Sequence, residues 1–248
     1  MNRINLRRVI PVMLTLQLLT TSLRTNAQSS NGTLSIDFLH YVDSDTLKLD
    51  TIAYKNESGQ AYSITKFKYY ISNILLTSIT GETVKIPMYF LVDEEKEDSK
   101  KILLKSIPAG QYSKVSFMIG VDSLRNCSGA QSGALDPVNT MFWTWNTGYI
   151  FLKLEGRSAS SSAPGHIFEY HIGGYKFQNN CIRTVDISFF TTLKIEKDKA
   201  TGMKVKVNIA DMLRGPANID FAKLPSVTDK NHAVMMADNY KDMFTVIR

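Results

Sequence analysis

The sequence predicts an all-β protein with a single β-sandwich domain of Greek-key type and a short C-terminal helix. Several segments either alternate apolar and polar residues or are almost wholly apolar, which is typical of half-buried and buried strands. Gly, Pro, Asn and Asp separate these segments, and helical periodicity is nearly absent before the C-terminal region. Many short strands separated by turns favour a sandwich.

The strands are predicted in order along the chain. Residues 34–42 place Leu34, Phe38 and His40 on one face, where they alternate with mostly polar residues. The other predicted strands cover residues 64–76, 84–92, 112–121, 149–154, 166–172, 184–195 and 203–209. The charged run 93–101 is predicted to be a solvated loop. Near the end, Asn231 is predicted to cap a helix over residues 232–244.

The N-terminus is predicted to be an export signal. A basic region containing Arg7 and Arg8 precedes the mostly apolar run 9–19, and Ala27 ends a segment that resembles a cleavage site. We therefore expect residues 1–27 to be removed and the protein to be periplasmic or secreted. No linker or repeat divides residues 28–248, which are expected to form one domain that does not span a membrane.

The charge of the chain depends on this signal. The formal net charge is +6, but residues 1–27 contain four arginines and no acid, so 25 basic and 23 acidic residues remain and the charge falls to +2. No stripe of Lys and Arg interleaved with aromatic residues is left to neutralise phosphates. We therefore expect no nucleic-acid partner.

Cys127 and Cys181 are the two cysteines of the chain. An even number of thiols in an exported protein predicts a disulfide. Closing a loop of this length would stabilise the fold by about 4 kcal/mol in the chain-entropy model. A copper-thiolate site is the alternative that these two residues leave open.

The segment 133–156 lies between the two cysteines and contains both tryptophans. If residues 141–146 are extended, Trp143 and Trp145 project from one face roughly 7 Å apart. Turn residues precede this strand and follow it, and residues 149–154 are expected to form the next strand. The sequence therefore predicts a hairpin with an aromatic face.

This segment, GALDPVNTMFWTWNTGYIFLKLEG, resembles the MbnP-like copper-binding family of exported bacterial proteins. The segments TKFKYYISNILL and IPAGQYSKVSFMIGVD before it, and EYHIGG and ADNYKDMF after it, share the resemblance. The similarity extends from about Leu34 to the end of the chain. Its most specific part is the pattern of two tryptophans followed by Gly, Tyr, Lys, Glu and Gly.

The resemblance implies a β-rich periplasmic protein that binds copper and is not itself an enzyme. It also implies a partner, a dihaem protein of the MauG/cytochrome c peroxidase type, which oxidises a tryptophan to kynurenine. The kynurenine then binds copper beside histidines. Matched onto this sequence, the candidate tryptophans are Trp143 and Trp145, and the principal candidate ligands are His40 and His171.

The four histidines of the chain differ in their expected surroundings. His40 lies on an apolar face and is expected to be neutral, either as a metal ligand or as a core histidine paired with a neighbour. His171 precedes two glycines that let backbone approach closely, and its alternative is an ordinary residue at a strand end. His232 ranks third as a ligand, and His166 is expected to be exposed.

Two other classes of function remain open from the residues alone. A hydrolase would need a spaced catalytic motif, and the chain contains no nucleophile elbow and no HExxH. A carbohydrate-binding or adhesion module without metal would use the tryptophan pair to stack on sugar rings. A loss of ligand on Trp→Ala without any response to copper would favour the second alternative.

Overall fold

The computed structural model describes residues 30–51, 53–143, 148–227 and 229–247. Two β-sheets and a small hairpin make up most of this part of the chain, so the predicted β-sandwich is confirmed. The strands are β1 (Asn31–Val42), β2 (Asp45–Thr46), β3 (Tyr54–Lys55), β4 (Ala61–Ser78), β5 (Thr83–Asp93), β6 (Lys101–Pro108), β7 (Gly110–Ile119), β8 (Phe142–Trp143), β9 (Gly148–Tyr149), β10 (Leu152–Arg157), β11 (Ile167–Ile172), β12 (Arg183–Ile195), β13 (Ala200–Asn208) and β14 (Phe244–Val246).

The larger sheet is built around β4, which is 18 residues long. One edge of β4 pairs with β5. Its other edge pairs first with β10, over residues 63–69, and then with β7, over residues 71–78. Strand β11 continues the sheet beyond β10, and β12 continues it beyond β7, which gives the order β11-β10-β4-β7-β12. One long strand therefore joins the two halves of the sheet.

The smaller sheet has β1 at its centre. Strand β1 pairs in parallel with β13, and its other edge pairs with β6 and β2. Strand β14 adds to β13 in antiparallel orientation. The predicted alternation in β1 is confirmed, since Leu34, Ile36, Phe38, His40 and Val42 are all buried.

The two sheets face each other across an aromatic core. The ring of Phe38 on β1 lies 6.2 Å from Tyr69 and 6.0 Å from Phe117, both on the larger sheet. Phe244 closes the same cluster, 5.6 Å from Tyr69 and 5.3 Å from Phe117. These edge-to-face contacts fix which face of each sheet points inward. The opposite face of the larger sheet is therefore the outer one, and it carries polar side chains.

Three α-helices lie among the described residues: α1 (Ser123–Cys127), α2 (Ile209–Arg214) and α3 (Lys230–Tyr240). Helix α3 confirms the predicted C-terminal helix, but its N-cap is Asp229, whose carboxylate accepts hydrogen bonds from the backbone of Asn231 and His232. Asn231 lies inside the helix. The helix also ends earlier than expected, because Phe244 belongs to strand β14.

Among the described residues, one long strand, β6, and two helices, α1 and α2, were not predicted from the sequence. Strand β6 begins at Lys101, where a loop was expected, and buries Ile102, Leu104 and Ile107. Helix α2 buries Ile209, Ala210, Met212 and Leu213. The predicted signal peptide falls outside the described residues. Within the described ranges, none of the helices is long and apolar enough to cross a membrane.

The predicted disulfide between Cys127 and Cys181 is wrong for this structure, which holds both residues as free thiols. Cys127 is exposed at the end of α1, where its sulfur lies 3.5 Å from the hydroxyl of Tyr175. Cys181 is buried, and burial raises the pKa of its thiol to about 12. The two thiols therefore lie in different environments, one at the surface and one in the core.

Candidate metal centre

The tryptophan hairpin lies against the larger sheet. Strands β8 and β9 pair Phe142 with Tyr149 and Trp143 with Gly148, so the predicted hairpin is confirmed at its base. Its tip, with Trp145, lies outside the described residues. The buried side chain of Asn126 accepts a hydrogen bond of 3.0 Å from the backbone nitrogen of Tyr149. This contact attaches the hairpin to helix α1.

Trp143 packs on the backbone just after His171. A side chain at Gly173 would place its Cβ 2.7 Å from Cζ3 of Trp143 and 2.4 Å from the carbonyl oxygen of Tyr149. Neither distance leaves room for a methyl group, so only glycine permits this approach. The close backbone approach expected at the two glycines after His171 is therefore present at Gly173.

A cavity of about 720 Å³ opens beside this contact. Its lining brings together a tryptophan, a histidine and carboxylates from β8, β11 and the start of α3. The polar and aromatic side chains in the lining include Trp143, Glu169, His171, Asp229 and Lys230. Trp143 is half-buried and lines this cavity. The structure thus places one of the candidate tryptophans and one of the candidate histidines in a single cavity.

His171 belongs to a cluster on the outer face of the larger sheet. Glu155 on β10 and Glu169 on β11 are directly paired across the two strands, and His171 follows two residues after Glu169 on the same face. The potential ligand atoms of these three residues all lie within 4.8 Å of one another. His171 Nε2 donates a hydrogen bond of 2.8 Å to Oε1 of Glu155.

Positive charges surround Glu155. Its Oε2 lies 3.2 Å from the ammonium of Lys66 and its Oε1 lies 3.9 Å from that of Lys153. The hydrogen bond from His171, followed by the contact with Lys66, lowers the pKa of Glu155 to about 2. The carboxylate is therefore ionised at neutral pH and can accept hydrogen bonds or bind a cation.

Lys153 connects this cluster to the hairpin. Its ammonium donates a 2.7 Å hydrogen bond to the carbonyl oxygen of Thr140, three residues before Trp143. Although lysine side chains are mostly exposed in proteins, Lys153 is buried. Burial lowers the pKa of its ammonium. The lysine thus holds the start of the tryptophan hairpin against the sheet.

His40 lies on the other side of the sheet, in the core between the two sheets. Its Nδ1 donates to Oε2 of Glu94 at 2.5 Å, and its Nε2 lies 3.0 Å from the hydroxyl of Tyr69. Burial lowers the pKa of the imidazole, so the ring is neutral at pH 7. Tyr69 and His171 belong to opposite faces, since Tyr69 pairs with Leu152, which pairs with Ile172. His40 and His171 therefore do not meet.

The remaining histidines lie at the surface. His232 on α3 is exposed, and its Nδ1 contacts the carboxylate of Asp229, which lines the cavity of His171. His166 is exposed, as expected, and its Nδ1 lies 3.1 Å from the carbonyl oxygen of Ser161. Of the three histidines that were candidate ligands, the structure places His171 in the cavity, His232 next to a lining residue, and His40 in the core.

A sequence model of the MbnP family matches residues 31–236. This chain belongs to the MbnP family. Among solved structures, MbnP from Methylosinus trichosporium superimposes with a TM-score of 0.57 at 12% sequence identity. The match covers 87% of this chain and 98% of that chain. No curated protein matches the sequence.

The match to the MbnP family confirms the resemblance found in the sequence, and the structural likeness shows that the fold is shared. The sequence alone did not point to the two glutamates beside His171. Glu169 and His171 are two residues apart on a predicted strand, so they could have been assigned to one face. Glu155 could not have been assigned to this cluster, because it meets Glu169 only through the pairing of β10 with β11, which the local sequence does not reveal.

Proposed function

We propose that this protein is an exported copper-binding protein of the MbnP family and not an enzyme. In this proposal its copper site includes His171 and a neighbouring tryptophan that a dihaem partner of the MauG/cytochrome c peroxidase type oxidises to kynurenine. The family is associated with copper, and the observation that carries the assignment to this site is the shared cavity of Trp143 and His171.

The chemistry of the cavity supports this proposal. Imidazole is a good ligand for copper, and His171 reaches the cavity while its ring is oriented by Glu155. Oxidation of a tryptophan to kynurenine produces an aromatic amine and a ketone, which adds nitrogen and oxygen donors to an apolar ring. Because Trp143 is half-buried at the cavity, an external oxidant can approach it without unfolding the hairpin.

The partner's role is tested by peptide mass mapping of protein isolated from its native host. We expect the peptide that contains Trp143 and Trp145 to have gained one oxygen atom and lost one carbon atom at one tryptophan. Fragmentation of the peptide assigns the modified residue. Two unmodified tryptophans in native material that also lacks copper would contradict the proposal and favour a plain binding or adhesion module.

The role of His171 is tested on the same native material by measuring bound copper. We expect His171→Gln to lose the metal while the protein stays folded, because the variant removes the imidazole from the cavity. His166→Gln is the matched control, since His166 is exposed and lies outside this cavity. Equal copper content in the two variants would exclude His171 as a ligand.

A further inference from the structure

Trp143 also lines a second cavity, of about 190 Å³, which adjoins the cavity that contains His171. Four residues line both cavities, namely Trp143, Gly173, Asn179 and Lys230. The described lining of the second cavity adds Lys176 and contains no carboxylate, whereas Glu169 and Asp229 line the first cavity. The two approaches to Trp143 therefore differ in charge, and the second approach is basic.

The loop between β11 and β12 borders this second cavity. Its Tyr175 and Lys176 belong to the lining, and the next residue, Phe177, is 98% exposed. The short turn Phe177–Asn179 lies against α3, and the hydroxyl of Tyr175 lies 3.5 Å from the sulfur of Cys127 at the end of α1. The loop is therefore held between two helices while it presents a phenylalanine ring to solvent.

The exposed apolar side chains beside the cavity indicate an interface. Phe177 contributes almost nothing to the core, and aromatic side chains of this kind are typical anchors of protein–protein contacts. Helix α1, whose Asn126 lines the cavity, adds Leu124, which is 75% exposed. One exposed apolar residue is ordinary on a protein surface, but two around the same cavity favour a surface that a partner covers.

The basic side chains around the cavity are not used in ion pairs within the fold. Among the residues that the structure describes, Arg125, Lys176 and Lys230 have no carboxylate partner. The carboxylate of Asp229, next to Lys230 in the chain, is bound by His232 instead. Positive charges that the fold leaves without a partner are complementary to an acidic protein surface.

We infer that a basic rim, formed by Arg125, Lys176, Phe177 and Lys230, is the docking surface of the protein that oxidises the tryptophan. The complementary surface of that partner is acidic and has an apolar pocket for Phe177. The inference rests on the proposed function and deepens it by specifying where the partner binds. A partner docked on the basic rim faces Trp143 through the second cavity, whereas His171 lines only the first.

The experiment measures the affinity of the full mature protein for the purified dihaem partner of its native host, by biolayer interferometry at several salt concentrations. We expect the double variant Lys176→Glu/Lys230→Glu to weaken binding about 10-fold or more, because the reversed charges repel an acidic surface. Phe177→Ser is expected to weaken binding about 10-fold, because it removes the apolar anchor. The affinity should also fall with salt, and less steeply in the double variant.

Matched controls carry the same changes elsewhere on the surface. Lys105→Glu/Lys204→Glu reverses two exposed lysines of the smaller sheet, and Phe190→Ser removes an exposed phenylalanine of β12. Both controls are expected to bind the partner as tightly as the native protein. Equal weakening in the test and control variants would overturn the inference, as would native affinity in both test variants.

Sedimentation of the chain without its partner tests the other occupant of this surface. We expect the native protein and Phe177→Ser to sediment alike at micromolar concentration. A native dimer that dissociates in Phe177→Ser would assign the basic rim to a second copy of this chain and overturn the inference.

The docking surface and the proposed function can fail separately. A partner that binds the native protein and oxidises a tryptophan equally well in both test variants retains the proposed function, and that result overturns the docking surface. Conversely, a partner whose binding depends on Lys176, Lys230 and Phe177, in a protein whose native tryptophans are unmodified, retains the docking surface and contradicts the oxidation. Absence of any binding to the native protein would overturn the docking surface, and peptide mass mapping would still decide the oxidation.

Discussion

His40 and His171 lie on opposite faces of one β-sheet, and their surroundings differ in almost every respect. His40 is enclosed between the sheets, and each ring nitrogen has a protein partner, Glu94 or Tyr69. His171 opens onto a cavity and shares a carboxylate with two lysines. The first arrangement satisfies the polar groups of a core, whereas the second leaves donor atoms within reach of a ligand. The contrast teaches that burial favours a neutral imidazole, but accessible geometry decides whether it can bind metal.

The largest effect on stability is expected from His40→Ala. This substitution leaves the buried hydroxyl of Tyr69 without its His40 partner and leaves Lys100 as the remaining ion-pair partner of Glu94. The loss of these two buried hydrogen bonds costs about 3 kcal/mol in total. Urea denaturation measures the loss in the free energy of unfolding. Copper content should be unchanged in the fraction that folds. A variant that keeps native stability but loses copper would reverse the roles assigned to the two histidines.

A smaller loss is expected from Lys153→Met. The substitution retains much of the apolar stem but removes the donor to the carbonyl of Thr140, which costs about 1–2 kcal/mol. Hydrogen exchange should become faster at Phe142 and Trp143, because the start of the hairpin is no longer held to the sheet. Lys105→Met is the control, since Lys105 is exposed on β6. Equal exchange in the two variants would show that Lys153 does not position the hairpin.

The two sides of the sheet should also respond to acid in different pH ranges. Burial lowers the pKa of His40 below 6.5, so the unfolded state binds the proton first and stability falls as the pH decreases below about 6.5. The pKa of Glu155 is lowered from 4.5 to about 2, so its contribution is complete above about pH 4.5 and is lost as the pH falls toward 2. The measurement is the free energy of unfolding as a function of pH. His40→Gln should lose the decrease in stability that begins below about pH 6.5, and Glu155→Gln should lose the decrease between about pH 4.5 and 2.

The smallest effect on stability is expected from His171→Gln. The His171 side chain is 29% exposed, and its partner Glu155 keeps Lys66, so the free energy of unfolding should change by less than about 1 kcal/mol. The thermal unfolding midpoint at neutral pH, in metal-free protein, is the appropriate measurement. A large loss of stability would mean that His171 has a structural role like that of His40, and it would remove the contrast between them.

Local sequence patterns were sufficient for much of the fold. The alternation in β1, the long apolar segment of β4 and the turn residues around the tryptophans each predicted the correct element. They failed at Lys101, where a charged run continues directly into a strand, and at Asp229, which caps the helix two residues before Asn231. In both places the polar residues suggested a boundary at the wrong residue. The start of β6 is determined by its pairing with β1, and the start of α3 is determined by the backbone hydrogen bonds to Asp229.

The candidate site depended more strongly on tertiary structure. The sequence identified Trp143, His171 and the need for glycine at Gly173, because these lie in or near compact motifs. It could not separate His40 from His171, since the alternation of a strand identifies an apolar face but not the layer that this face contacts. Nor could it place Glu155 beside Glu169, because these residues meet only after β10 and β11 pair in their observed register.

The parallel pairing of β1 with β13 has a consequence for how the chain folds. Tyr41 pairs with Asn208, so the central contact of the smaller sheet joins strands near opposite ends of the chain. Such long-range pairing requires a large loop to close before its contacts are gained, and it is typical of slow folding. Strand β1 therefore stays without its parallel partner until residues 200–208 have been synthesised. A chain of this kind is expected to stay unfolded for longer than one assembled from neighbouring hairpins.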